Sequence, residues 1–219
     1  RNDGALALRL GFRQIKGFKQ EEADWIVAAR GNGYPDPEAL WLRAGVQSAS
    51  LERLAEADAF ADVGLNRRNS LWQVKALRAQ APLPLFNNGI EGEGIAEPEV
   101  HLPSMHLGEE VVEDYVSMRL SLRAHPMELL RPKFEGISAH NTLAEIPMQR
   151  VSVCGLVITR QRPGTASGVV FLTLEDETGV CNVVVWKAIY KRFRRAVMGG
   201  RLLRVTGHLQ REGVVVHLI

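Results

Sequence analysis

Catalysis needs ionisable or nucleophilic groups gathered at short range, and this 219-residue chain gathers few of them. Its one dense carboxylate run is Glu175-Asp176-Glu177. Such a trio could hold a cation, but it falls where an alternating stretch turns at Thr178-Gly179, so a solvated hairpin tip is the better reading. None of the six histidines has a partner at ligand spacing, and His101 and His106 stand five apart in a Pro/Gly-rich stretch. Cys154 and Cys181 lie in strand-like runs without a CxxC, which points to reduced interior thiols rather than zinc or a disulfide. What remains is a chemistry of planar rings and cations. Phe171 and Trp186 stand among Arg160, Arg162, Lys187, Lys191 and Arg192. Rings of this kind stack on unpaired bases while the cations lie along phosphates.

The elements that must carry these residues are legible from periodicity. Residues 150–159 alternate; Pro163-Gly164 and Ser167-Gly168 break the pattern; 169–175 alternate again; Asp176 to Gly179 turns the chain; and 180–186 make a third strand. Residues 187–197 switch to helical spacing with Ile189, Phe193 and Val197 on one stripe, and 201–210 and 214–219 supply two more strands. Three strands, a helix and two strands is the order of an OB-fold, a small barrel whose second and third strands hold oligonucleotides. Val170, Leu172 and Leu174 should face its core, which turns Phe171 outward, with Asn182, Val184 and Trp186 on the same side. For Trp186 two readings stay open, base stacking and a plug for the barrel end.

A second set of candidate residues lies in the front half. Ile15-Lys16-Gly17-Phe18-Lys19 precedes a helical run, 20–30, whose Ala23, Ile26 and Val27 should point inward and whose first turn holds Glu21 and Glu22. Glycine permits the tight turn, and helix-start amides beside Lys16 and Lys19 can take a phosphate oxygen. A second copy follows: a helix capped by Ser50, a turn over 58–66 with Gly64, then Arg67-Arg68 opening another helix. Two glycine hairpins in tandem form a unit that grips duplex backbone without reading sequence. The alternative is a plain helical bundle whose glycines only end helices.

Between the halves, residues 82–106 are rich in Pro and Gly and read as a tether. Residues 82–114 hold eight acids and no Lys or Arg, whereas 150–219 hold eleven basic and four acidic side chains. The overall charge of +2 therefore conceals a basic barrel suited to a polyanion. Gln80, Leu83, Leu85 and Phe86 form a short peptide that either docks in the pocket of a sliding clamp or plugs the helical domain. Residues 107–130 read as a connector helix on the barrel's flank, broken at His125-Pro126. No apolar run is long enough to span a membrane and no signal-peptide pattern opens the chain, so a cytoplasmic protein is expected. A start at Arg1 and an end within a strand-like run suggest a piece of something longer.

Taken in order, these pieces resemble the C-terminal region of bacterial C-family DNA polymerases, of the polymerase III alpha-subunit type. The resemblance is carried by Leu8 to Gly17, by Gly64-Leu65-Asn66-Arg67-Arg68, by Arg123 to Met127, and by Arg162 to Thr165 with Gly168 to Gly179. Leu71-Trp72, Arg160 to Gly179 and Arg192 to Arg195 look most like the error-prone, translesion branch. Lys19 and Ser167 depart from the pattern, standing where a glycine and a lysine are common.

The resemblance implies damage-induced translesion synthesis by the parent enzyme, with double- and single-stranded DNA as partners and the clamp and mutasome adaptor proteins as further ones. It also implies Mg-dependent nucleotidyl transfer in a catalytic part outside this sequence, with no cofactor and no catalytic residue within it. The expected architecture is α+β and multi-domain. A tandem helix-hairpin-helix domain (1–81), an acidic linker (82–106) and a helical connector (107–148) lead to a five-stranded OB barrel (149–219) cut short at its C-terminus. Two other classes stay in play: a protein–protein adaptor, and an RNA-processing or anticodon-binding module.

Overall fold

A computed structural model describes residues 9–77, 102–165, 168–213 and 215–219. The chain divides into two compact units, Arg1–Ser121 and Leu122–Ile219. Among the described residues no helix is long and apolar enough to cross a membrane.

The first unit is helical: α1 (Gln20–Ala28), α2 (Pro37–Ala44), α3 (Ser48–Glu56), α4 (Arg67–Ala76) and α5 (Leu107–Met118). Leu51, Leu54 and Ala55 of α3 lie on one face at helical spacing and are fully buried, meeting Ile26, Leu40, Phe60 and Val74 in one core. Ser50 is not the cap of α3; Gln47 occupies that position. Ser50 is instead buried, and its hydroxyl donates to Glu22, which also accepts from the Gln47 amide at 3.3 Å. Glu22 therefore faces inward, whereas Val27, expected inside, is exposed.

α2 has no counterpart among the expected elements, although its local signals are present. Asp36 accepts from the Ala39 amide at 2.7 Å, Pro37 opens the helix and Gly45 ends it at φ 64°. Arg43 of this helix donates to the carbonyls of Ala29, Arg30 and Gly33 at 2.7–2.8 Å, closing the end of α1.

α5 corrects the expected connector. It stops at Met118, where Arg119 turns left-handed (φ 64°), and it belongs to the helical unit. Its buried positions are Val111, Asp114 and Ser117, while Val112 is exposed. The Lys16 amide donates to the Ser117 carbonyl at 2.9 Å, and Gln14 Nε2 donates to that of Met118 at 2.7 Å. An acid among the inward positions requires a buried cation, and α4 provides one, as described below.

The second unit opens with α6 (Pro126–Leu130) and continues into β1 (Arg150–Gln161), β2 (Val170–Asp176), β3 (Gly179–Val185), α7 (Lys187–Gly199), β4 (Leu202–Glu212) and β5 (Val215–Leu218). The strands close in the order β1-β2-β3-β5-β4. β1 is long enough to pair with β2 at one end and β4 at the other, and β3 pairs with β5 in parallel. All five strands of this closed barrel fall within 150–218. Val153, Val170, Leu172, Leu174, Val183 and Leu218 fill the interior. Tyr190 and Val197, seven apart on α7, join that core. Of the expected stripe Ile189, Phe193 and Val197, only Val197 is buried; Ile189 and Phe193 are each 48 % exposed, and the backbone departs from helix at Phe193 (φ −115°, ψ 26°).

Candidate nucleic-acid interface

β2 and β3 pair Phe171 with Val184 and Thr173 with Asn182. Alternation buries Val170, Leu172 and Leu174 and turns Phe171 out, 39 % exposed. The outward face bounds a groove of about 310 Å³ lined by Thr159, Gln161, Phe171, Thr173, Asn182 and His217, among others. Polar donors and acceptors thus share the groove with one aromatic ring and three aliphatic residues, a surface that can stack a base and hydrogen-bond its edge. His217 arrives through the β3–β5 pairing opposite Asn182, a contact that no local pattern predicts. Trp186 follows β3 as the N-cap residue of α7 and is 53 % exposed, so its ring does not plug the barrel.

The cations of the barrel are less uniform than the sequence suggested. Arg162 lies 4.8 Å over the Tyr190 ring. A side chain at Gly168 would meet Lys187 at 3.5 Å and Arg162 at 3.8 Å, so these two cations converge where the β1–β2 loop meets the start of α7. Lys187, Lys191 and Arg192 are exposed. Arg160 is a correction: it is half-buried and donates to the Gly200 carbonyl at 2.7 Å, which ties β1 to the end of α7.

The carboxylate run is also a correction, for it is no solvated tip. Asp176 is buried, and its carboxylate accepts from the amides of Thr178, Gly179 and His140 at 2.8–3.0 Å, from the Thr178 hydroxyl at 2.6 Å and from Arg131 at 2.7 Å. Glu177 takes the other side of the Arg131 guanidinium. Burial pushes the Asp176 carboxyl up, but the Thr178 and His140 hydrogen bonds outweigh it and hold it below its usual range. Hydrogen bonding by Arg131 lowers Glu177 likewise. Burial lowers the His140 imidazole against the opposing pull of Asp176. The cluster is a structural anchor, and among the described residues no group of His, Cys, Asp and Glu could hold a metal. Cys154 and Cys181 are free and buried, the latter thiol pushed up to about 12 by burial.

In the helical unit the first hairpin has the expected form. Gly17 adopts φ 72°, and Lys16, Gly17 and Lys19 are exposed. No side chain caps α1, and Lys19 is its N-cap residue. A side chain at Gly17 would lie 3.5 Å from Arg53 Nε, so α3 brings a third cation to this turn that the sequence reading missed.

The second hairpin differs. Gly64 adopts φ 82°, but Asn66 caps α4 by accepting from the Asn69 amide at 2.8 Å. Arg67 is 3 % exposed and corrects its assignment to DNA. Its guanidinium is bound to the buried carboxylate of Asp114, lies 3.4 Å from Glu110 and donates to the Glu110 carbonyl at 3.2 Å. Arg68 is half-exposed, donating to the Pro103 carbonyl at 2.9 Å and to Glu109 at 3.2 Å. Gln80, Leu83, Leu85 and Phe86 lie outside the described residues.

Comparison with known proteins agrees with both units. Residues 2–70 match a helix-hairpin-helix motif model, and residues 151–218 match the model of an OB-fold nucleic acid binding domain. An error-prone DNA polymerase of Ruegeria pomeroyi is 78 % identical over 219 residues, covering 100 % of this chain and 20 % of that protein. Error-prone DNA polymerase 1 of Rhizobium meliloti is 48 % identical over 97 % of this chain and 20 % of its own length. Among solved structures, asparaginyl-tRNA synthetase from Pyrococcus horikoshii is similar over 38 % of this chain and 21 % of its own, at 25 % identity and a TM-score of 0.32. The chain spans about a fifth of the length of the curated relatives it matches. Over its whole length it is similar to one segment of these error-prone DNA polymerases, and its own two units match the helix-hairpin-helix and OB-fold models.

Proposed function

We propose that this segment is the DNA-holding part of an enzyme for damage-induced translesion synthesis. The helical unit takes duplex backbone at Lys16, Gly17 and Lys19, and the barrel takes single-stranded template across β2 and β3. The observation that supports this best is the groove of about 310 Å³ that Phe171 lines together with Thr159, Gln161, Thr173, Asn182 and His217. Chemistry belongs to a Mg-dependent catalytic part elsewhere in the parent enzyme, and the Gln80 to Phe86 peptide would reach a sliding clamp. Fluorescence anisotropy of the 219-residue chain with a labelled oligothymidine, titrated with salt, tests the barrel's role. Affinity should fall as salt rises, and Phe171→Ala should weaken binding by about 1–3 kcal/mol. Binding that ignores both salt and this substitution would remove the groove from the account.

A further inference from the structure

We propose that the outward side of α7 docks an acidic peptide segment of a partner protein, one that inserts a single aromatic or leucine side chain. This site is separate from the groove across β2 and β3 and does not rest on the reading of that groove. Between Thr178 and Arg211 the sequence has eight Lys and Arg and no Asp or Glu. Five of those cations, Lys187, Lys191, Arg192, Arg194 and Arg195, are on α7, and all five are exposed.

Charge is only half of the surface. Arg192, Phe193, Arg195, Ala196 and Gly200 line a shallow, solvent-open cavity of about 500 Å³, mostly apolar and with two arginines in its lining. Ile189, four residues before Phe193, adds a half-exposed apolar side chain. Docking surfaces have this composition: a pocket for one anchor, with arginines placed to pair carboxylates on either side. A uniform sign of charge around the pocket also selects an anionic partner and speeds its encounter.

The same cations would attract a nucleic acid, but the aromatic geometry favours a peptide. Arg192 lies 5.3 Å over the Phe193 ring, covering a face on which a base would stack. Phe193 is also the only aromatic side chain lining the cavity. Single-strand tracks use successive rings with open faces. A pocket with one covered ring instead suits one inserted side chain.

The test uses the 219-residue chain and three labelled probes: a short synthetic peptide in which aspartates and glutamates flank one phenylalanine, the same peptide with serine for phenylalanine, and an oligothymidine. The phenylalanine peptide should bind at least about tenfold more tightly than the serine peptide, the difference a buried anchor makes. Ala196→Glu puts a carboxylate into the cavity from an exposed helical position and should weaken the phenylalanine peptide at least about tenfold, changing oligothymidine affinity less than about twofold. Peptide binding that survives Ala196→Glu, or no preference for phenylalanine, would overturn the site. So would oligothymidine and peptide displacing each other with equal sensitivity to Ala196→Glu, which would make α7 part of a nucleic-acid track. Failure of oligothymidine to bind at all would count against the groove, leaving the peptide result to judge α7.

Discussion

Two glycine turns of similar sequence lie in the helical unit, and they have been put to different uses. In the first, Gly17 turns the chain, Lys16 and Lys19 point to solvent, and no side chain occupies the start of α1. In the second, Gly64 makes the same turn, but Asn66 caps the helix and Arg67 is buried against Asp114 and Glu110 of α5. One turn leaves its cations for a ligand; the other spends its principal cation on the fold. The barrel repeats the contrast. Its groove is open, while Asp176 and Glu177, its densest acids, are committed to Arg131. A basic residue at a helix start therefore predicts a phosphate contact only where no acid from elsewhere in the chain arrives first.

The largest effect should come from breaking the closed turn. Arg67→Ala leaves Asp114 buried without its guanidinium and should cost about 3–5 kcal/mol in urea denaturation. Arg67→Met with Asp114→Leu should lose less than Arg67→Ala alone, since both charges then leave together. A single substitution as mild as a surface change would show that the second turn is no lock.

Next comes the open turn. Lys16→Ala with Lys19→Ala should weaken duplex DNA about tenfold and reduce the salt slope by about 2, with stability unchanged. An unchanged slope would place the duplex elsewhere.

The committed acids of the barrel predict a pH dependence. Burial holds the folded-state pKa of His140 below its ordinary 6.5, so the unfolded chain takes up its proton first as pH falls. Stability should be complete above that value and decline below it, by up to about 1.4 kcal/mol per pH unit until the folded-state pKa is reached. Asp176 and Glu177, also lowered, add their own loss only further down, below their ordinary 3.8 and 4.5. Urea midpoints at successive pH values should show the first decline in the parent and not in His140→Asn. An equal slope in both would acquit the imidazole.

The smallest effect belongs to Arg68→Ala. Its pair with Glu109 is 37 % and 50 % exposed at the side chains, so stability should change by less than about 1 kcal/mol. Duplex affinity should change less than it does on loss of Lys16 and Lys19. The reverse ranking would mean that the second turn, not the first, meets DNA.

The sequence by itself determined whatever depends on near neighbours along the chain. Strand alternation at 170–174 buried three aliphatic residues and turned Phe171 out, as the pattern required. The strand–helix order foretold the barrel, and Ile15-Lys16-Gly17 foretold a tight glycine turn, which Gly17 makes at φ 72°. Tertiary structure decided which polar groups are spent. Asp114 is forty-seven residues from Arg67, Arg131 forty-five from Asp176, and Ser50 twenty-eight from Glu22. No local period encodes such distances, and a buried charge reveals itself only when the segment holding its partner has folded against it. The same holds for His217 in the groove and Arg53 beside Gly17, which reach their sites through strand pairing and helix packing rather than through any motif.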